Sequence, residues 1–318
     1  MVNRLEYAPV ALFGSALGLT GLTLATLHVE RITETSHTVG GSLLALTMIV
    51  LALVLFAYTT KIVRLPAAVK ADLNHPVRNN SFALLSGTVV LLGLAFLPFS
   101  RAIALPFWMA GAVLQFAVML VLVAKWIGPN VFERAFVNPL MFLPAAGNVL
   151  VPLGGVTLGF PEISWFFFST GLVLWIILLS IQLGRLLTEP GLPDRLLPTL
   201  MILMAPPALL MLAYLRLNPQ DTGAFPKILY YTSLMFFFVV CTQLPRMVRT
   251  SFSLSWWAYT FPFAGFTIAT LTFAQHSNLA PLRYFGSALY VLLVCIVVSV
   301  FVRTLKAVIA GEIFIEEP

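Results

Sequence analysis

Uncharged apolar segments, each about as long as a bilayer-spanning helix, recur along nearly the whole chain and leave it few ways to fold. A helix rises 1.5 Å per residue, so about 20 apolar residues cross the hydrocarbon core of a bilayer. Ten stretches without Asp, Glu, Lys or Arg meet that length: residues 7–27, 38–60, 80–99, 103–124, 139–160, 163–184, 196–215, 228–245, 252–275 and 284–302. The runs are continuous rather than alternating, which argues against a β-barrel. Only 9% of the residues are charged, against about 25% in soluble domains, so no soluble fold could bury the rest. The expectation is an all-α integral membrane protein, one transmembrane domain over residues 1–318. The longest polar stretch, Lys61–Asn80, is too short for an inserted domain.

Orientation follows from the basic residues. Of 18 Lys and Arg, 13 fall on the side that holds both termini and five on the other. That asymmetry predicts cytoplasmic termini and supports an even span count. Arg4 and Glu6 lead straight into an apolar run too long for a signal-peptide core, so no cleavable leader is expected. The lack of a targeting extension points to a plasma membrane, in the first instance a bacterial inner membrane. Cys241 and Cys295 sit in apolar runs and imply no disulfide framework.

What the spans omit is equally informative. No acidic or basic residue falls near the centre of any span, whereas proton-coupled carriers need titratable groups at membrane depth. His28, His37, His75 and His276 lie at span ends or in loops. No arginine fork for a dicarboxylate is visible, and terminal Arg and Lys read as interfacial snorkelling. The sequence carries no HExxH, GxSxG or Walker A loop and no metal-ligand spacing, so no enzyme, metal or cofactor is expected. Nothing points to nucleic acid. The net charge of +6 concentrates anions at the cytoplasmic mouth, or meets anionic lipid headgroups.

Prolines and small residues favour the odd spans: Pro9, Pro144, Pro206, Pro207 and Pro262, with Gly14-Ser-Ala-Leu-Gly18 in span 1 and Gly155-Val-Thr-Leu-Gly159 in span 5. Span 3 breaks the series with Ser86. Two readings fit. One is ordinary close packing at small-xxx-small faces. In the other, kinked odd helices form an inner ring around a central pore, the even helices form an outer ring, and the whole makes five helical hairpins. Such a pore, lined by Gly14, Gly18, Ser86, Pro144, Pro206, Pro262, Gly265 and Thr272, would hold no fixed charge.

The string Ser255-Trp-Trp-Ala-Tyr-Thr-Phe261-Pro-Phe-Ala264 resembles the tellurite-resistance/dicarboxylate transporter family, which includes bacterial TehA and the plant guard-cell slow anion channels. Further similarities follow in chain order: Phe13-Gly14, Leu17-Gly18-Leu19, His75-Pro76-Val77-Arg78, Leu143-Pro144-Ala145, Ala205-Pro206 and Lys227-Ile228-Leu229. Ser86 stands where bacterial relatives tend to have proline, and the expectation is a chain without the long tails of the plant channels. The resemblance implies a ten-helix fold with an inner ring, a homotrimer, and a helix 9 phenylalanine that plugs the pore beside a helix 1 glycine. Carried over, the plug is Phe261 and its neighbour Gly14.

Phe261 directly precedes Pro262, and Gly265, Ile268 and Thr272 share its helix face at i+4, i+7 and i+11. Packing is the alternative for Ile268, and close helix approach for Gly14. Trp256 and Trp257 read as an interfacial aromatic belt. His75 and Arg78 line the cytoplasmic mouth or a solvated loop. The functional expectation is a passive channel for small monovalent anions such as chloride and nitrate, occluded by Phe261. The rivals are a proton-coupled dicarboxylate carrier, a tellurite or sulfite exporter, and a membrane scaffold.

Overall fold

The computed structural model describes residues 6–128 and 136–313; Arg4, used above to orient the chain, lies outside them. The described residues are mostly helical, with no strand among them. The α-helices are α1 (Phe13–Ile32), α2 (Thr38–Arg64), α3 (Pro66–Asn74), α4 (Phe82–Phe96), α5 (Arg101–Trp126), α6 (Phe142–Leu158), α7 (Pro161–Thr188), α8 (Ala205–Leu217), α9 (Ala224–Met247), α10 (Phe261–Ser277) and α11 (Ala280–Ala310). Among the described residues, nine helical segments are long and apolar enough to cross a membrane. The segment expected as the ninth span is α10, a helix of 17 residues preceded by 3-10 turns over Leu254–Tyr259.

Two concentric layers organise these helices. α1, α4, α6, α8 and α10 each pack on the next, and α10 closes on α1, so the five form a ring. Each is followed in the chain by an antiparallel outer partner: α2, α5, α7, α9 and α11, giving five hairpins. The short α3 lies in the connection between the first two hairpins.

Burial separates the layers. α1 is buried along nearly its whole length, whereas α11 buries only Gly286, Leu289, Leu293, Val297, Val300, Thr304 and Ala307. That stripe recurs every three or four residues, the signature of a helix with one face on protein. Its other face exposes Val291, Val298 and Val302, as α2 exposes Ile49, Leu53 and Phe56. Exposed apolar side chains of this kind are what lipid requires. Buried hydroxyls inside the apolar helices are satisfied locally: Thr20, Thr88, Thr267 and Thr270 each donate to the carbonyl four residues back.

The prolines act differently from the kinks anticipated. Every inner helix starts with a 3-10 segment on the same face of the protein: Val10–Leu12, Arg78–Ser81, Pro139–Met141, Asp194–Met204 and Leu254–Tyr259. Pro144, Pro206, Pro207 and Pro262 fall in the first turn of the α-helix that follows, where an N–H has no intrahelical acceptor to lose. They mark a 3-10-to-α junction rather than a mid-span bend. The proline in the body of an inner helix is Pro152 of α6.

Tight hairpins depend on glycine. In α4–α5, a Cβ on Gly93 would lie 2.7 Å from the backbone nitrogen of Trp108, and one on Gly111 would strike the backbone of Val90. Backbone cannot yield as a side-chain tip can. Gly111→Ala should therefore cost about 1–3 kcal/mol and lower the thermal unfolding midpoint in detergent. Gly184→Ala on α7, with nothing within 4 Å, should not lower it.

Candidate functional site: a basic, leucine-walled cavity above Phe261

Where the ring encloses space, a cavity of about 700 Å³ opens on the face opposite the termini. All five inner helices line it. Its wall is apolar, with Leu24, Leu91, Leu94, Leu153 and Leu209 among its side chains, and Phe261 lies at its inner end. Phe261 is the first residue of α10 and is more than nine-tenths buried. Gly265, Ile268 and Thr272 line the cavity above it, so the face inferred from helical spacing does point inward.

The glycine beside Phe261 is Gly21, not Gly14. A Cβ at Gly21 would lie 3.2 Å from Phe261 Cδ2 and 3.4 Å from its Cα. Gly14 instead faces Trp257, whose Cβ would be 3.2 Å away, and Gly18 faces Thr260 and Trp257. The offset of seven residues is two turns, about 10 Å along the helix. Trp257 is therefore a packing residue at the ring seam, and its indole donates to Thr304 Oγ1 at 3.0 Å.

Ser86 and Pro144 belong to another structure. Gln115 of the outer helix α5 is fully buried. Its Oε1 accepts from Ser86 Oγ at 2.7 Å, and its Nε2 donates to Pro144 O at 2.8 Å and Asn148 Oδ1 at 2.9 Å. Asn148 Nδ2 then donates to Thr170 Oγ1 at 3.1 Å. This network ties α4, α5, α6 and α7 together, and the Ser86 hydroxyl points at the outer helix rather than the cavity. Buried Pro206 and Pro262 do not line the cavity either.

His75 and Arg78 lie at the far end of the molecule. His75 Nδ1 accepts from the backbone N–H of Val77 and Arg78 at 3.2 and 3.3 Å. Arg78 Nη1 is 3.6 Å from Asp72, whose other oxygen accepts from Lys61 Nζ at 2.7 Å. Lys61 also donates to Ala8 O at 2.8 Å. These residues clamp α3 and the end of α2 to the start of the first span.

The mouth of the cavity is the part that sequence reasoning missed. Arg31, Arg216 and His276 occupy the last turns of α1, α8 and α10, and all three line the cavity together with His28. His28 Nδ1 is 2.9 Å from Arg31 Nη2, and its Nε2 is 3.4 Å from Thr272 Oγ1. Read singly, these arginines looked like snorkelling ends; ring closure brings them to one opening. No Asp or Glu lines the cavity among the described residues.

Nearby acids are already engaged. Glu30 Oε1 accepts from the N–H groups of Val39 and Gly40, both at 3.0 Å, at the start of α2. Asp221 accepts from the Tyr214 hydroxyl and, at 2.6 Å, from Gly223 N–H. These bonds, with His276 nearby, hold the Asp221 carboxyl below its usual range. It therefore stays ionised above the ordinary carboxylate pKa of about 4, and its grip on the 218–223 turn is lost only as pH falls through the lowered value.

The geometry makes a direct accessibility prediction. In a variant lacking Cys241 and Cys295, Thr272→Cys should react from water with an anionic methanethiosulfonate several times faster than with a cationic one. Ser86→Cys should not react until the protein unfolds. Equal rates for the two reagents would remove the positive field at the mouth.

The family model described as "SLAC1: Voltage-dependent anion channel" matches residues 7–305. The S-type anion channel SLAH2 of Arabidopsis thaliana is 27% identical over 276 residues, 84% of this chain and 53% of that protein. The tellurite resistance protein TehA homolog of Haemophilus influenzae is 27% identical over 271 residues, 85% of this chain and 82% of that protein. The guard cell S-type anion channel SLAC1 of Arabidopsis thaliana is 25% identical over 309 residues, 93% of this chain and 55% of that protein. The chain thus spans about half the length of the plant relatives.

Proposed function

The chain belongs to the SLAC1 voltage-dependent anion channel family, and on that premise we propose that it is a passive channel for small monovalent anions, chloride and nitrate among them. The observation that carries this reading is the cavity itself: ringed by five helices, edged by Arg31 and Arg216, without a carboxylate among its described lining residues, and ended by Phe261. A pathway without fixed charge at depth selects by diameter and by the field around it. Phe261 is the gate in this proposal. Its ring interrupts a water column and must rotate to admit a partly dehydrated ion. The reading includes a homotrimer with one pathway per subunit and both termini in the cytoplasm of a bacterial cell.

Replacing Phe261 by Ala should raise chloride current in planar bilayers at least tenfold over wild type and keep anion selectivity. Equal, negligible currents from two well-folded proteins would make Phe261 a packing residue. A second reading, the proton-coupled carrier of malate-like dicarboxylates, is favoured by one observation: two guanidinium groups, Arg31 and Arg216, line one cavity. Uphill malate uptake driven by a proton gradient would replace the channel reading with that one.

A further inference from the structure

The cavity is far larger and more apolar than an inorganic anion needs. Its volume of about 700 Å³ falls in the range of pockets that enclose drug-sized molecules, about 300–1,000 Å³. A hydrated chloride gains nothing from a wall built by Leu24, Leu91, Leu94, Leu153, Leu209 and Leu212. The polar groups are not scattered over that wall. They gather at the mouth, where Arg31 and Arg216 lie within Coulombic reach of each other and of His28.

Neither guanidinium has a carboxylate partner among the described residues. Arg31 is bonded to His28, which holds it at the opening. Two guanidinium forks present planar donor pairs suited to an oxyanion with several acceptor oxygens rather than to a halide. From His28 at the mouth to Gly21 beside Phe261 is seven residues of one helix, about 10 Å. An eight-carbon chain has about that reach.

We propose that this cavity binds amphiphilic oxyanions, carboxylates or sulfonates carrying an alkyl tail, with the head between Arg31 and Arg216 and the tail along the leucine wall toward Phe261. Such a molecule enters from the face opposite the termini and occludes the pathway. It is held by two independent terms: charge-assisted hydrogen bonds at the mouth and removal of methylenes from water below it. A short oxyanion has only the first, and an alcohol of the same chain length only the second.

The inference rests on the channel reading only for its current assay. Alkyl sulfonates are the probes, because they stay charged and do not cross the bilayer. Octanesulfonate should block the Phe261→Ala chloride current from one face only. Each methylene added between butane- and octanesulfonate should lower the half-blocking concentration about fourfold, the worth of one buried CH₂. Arg216→Gln and Arg31→Gln should each raise that concentration at least tenfold while keeping the chain-length slope. Ile268→Trp, which fills the tail region, should flatten the slope and keep the head-group dependence.

Binding is read independently as the rise in thermal unfolding midpoint of the detergent-purified wild type on adding octanesulfonate, a rise that Arg216→Gln should abolish. A wild type stabilised in this way that carries no chloride sustains the site and removes the channel. Block from both faces alike, block indifferent to both arginine substitutions, or methanesulfonate as potent as octanesulfonate would overturn the proposal. So would a midpoint shift that Arg216→Gln leaves intact.

Discussion

Closure of the inner ring between α1 and α10 is the contact on which the cavity depends. In a bilayer there is little hydrophobic drive between helices, so association relies on close packing of small residues. Gly14, Gly18 and Gly21 recur at i, i+4 and i+7 and form one continuous stripe on α1. Trp257, Thr260, Phe261 and Ala264 seat on it in register. At Gly18 an added methyl would meet Thr260 and Trp257, and at Gly21 it would press on Phe261 and Ala264. The same stripe thus closes the ring and sets the position of the residue at the inner end of the cavity. Without it, α1 and α10 would stand apart, and the arginines at their mouth would be separate surface charges.

The direction of the inner helices then sets an electrostatic problem. All five run the same way, so their C-terminal ends, each carrying about half a negative charge, collect around the cavity mouth. That field alone would repel anions. Arg31 and Arg216 sit in the last turns of two of these helices and offset it. Glu30 and Asp221 would oppose them, but both accept backbone N–H groups that spread their charge into the protein. The result is that the side chains facing the opening include Arg31 and Arg216 and, among the described residues, no carboxylate, despite the sparse basic residues on this side.

Polar groups deeper in the molecule are bonded to one another across helices. The Gln115 network crosses four helices and leaves its amide bonded at both ends, which is how a buried carboxamide is tolerated in an apolar layer. The Lys61–Asp72 pair does the same at the opposite end, with the Ala8 carbonyl and the Tyr58 hydroxyl completing the set. The first was hard to separate from pore features in the sequence, since a serine or proline on an inner helix has the same letter whichever way it points.

Local composition was enough to reveal the apolar helices, and it offered the hairpin ring with inner odd helices as one of two readings, which the packing then decided. Length and charge exclusion are written within about 20 consecutive residues; glycines occur on outer helices too, at Gly40, Gly111, Gly171 and Gly286, so small residues alone did not separate the layers. The face that carries Phe261, Gly265, Ile268 and Thr272 was legible for the same reason, because helical periodicity is local. Partnerships across the ring were not. Whether Phe261 meets Gly14 or Gly21 depends on how far one helix slides along another, and a slip of two turns changes no local pattern. Ser86 was assigned inward because nothing local reports the presence of Gln115 from the next helix. Arg31 and Arg216 stand 185 positions apart, and each alone is an ordinary helix-end arginine. Only ring closure places both at one opening, where repulsion between them is tolerated because water, and an anion when present, can reach them.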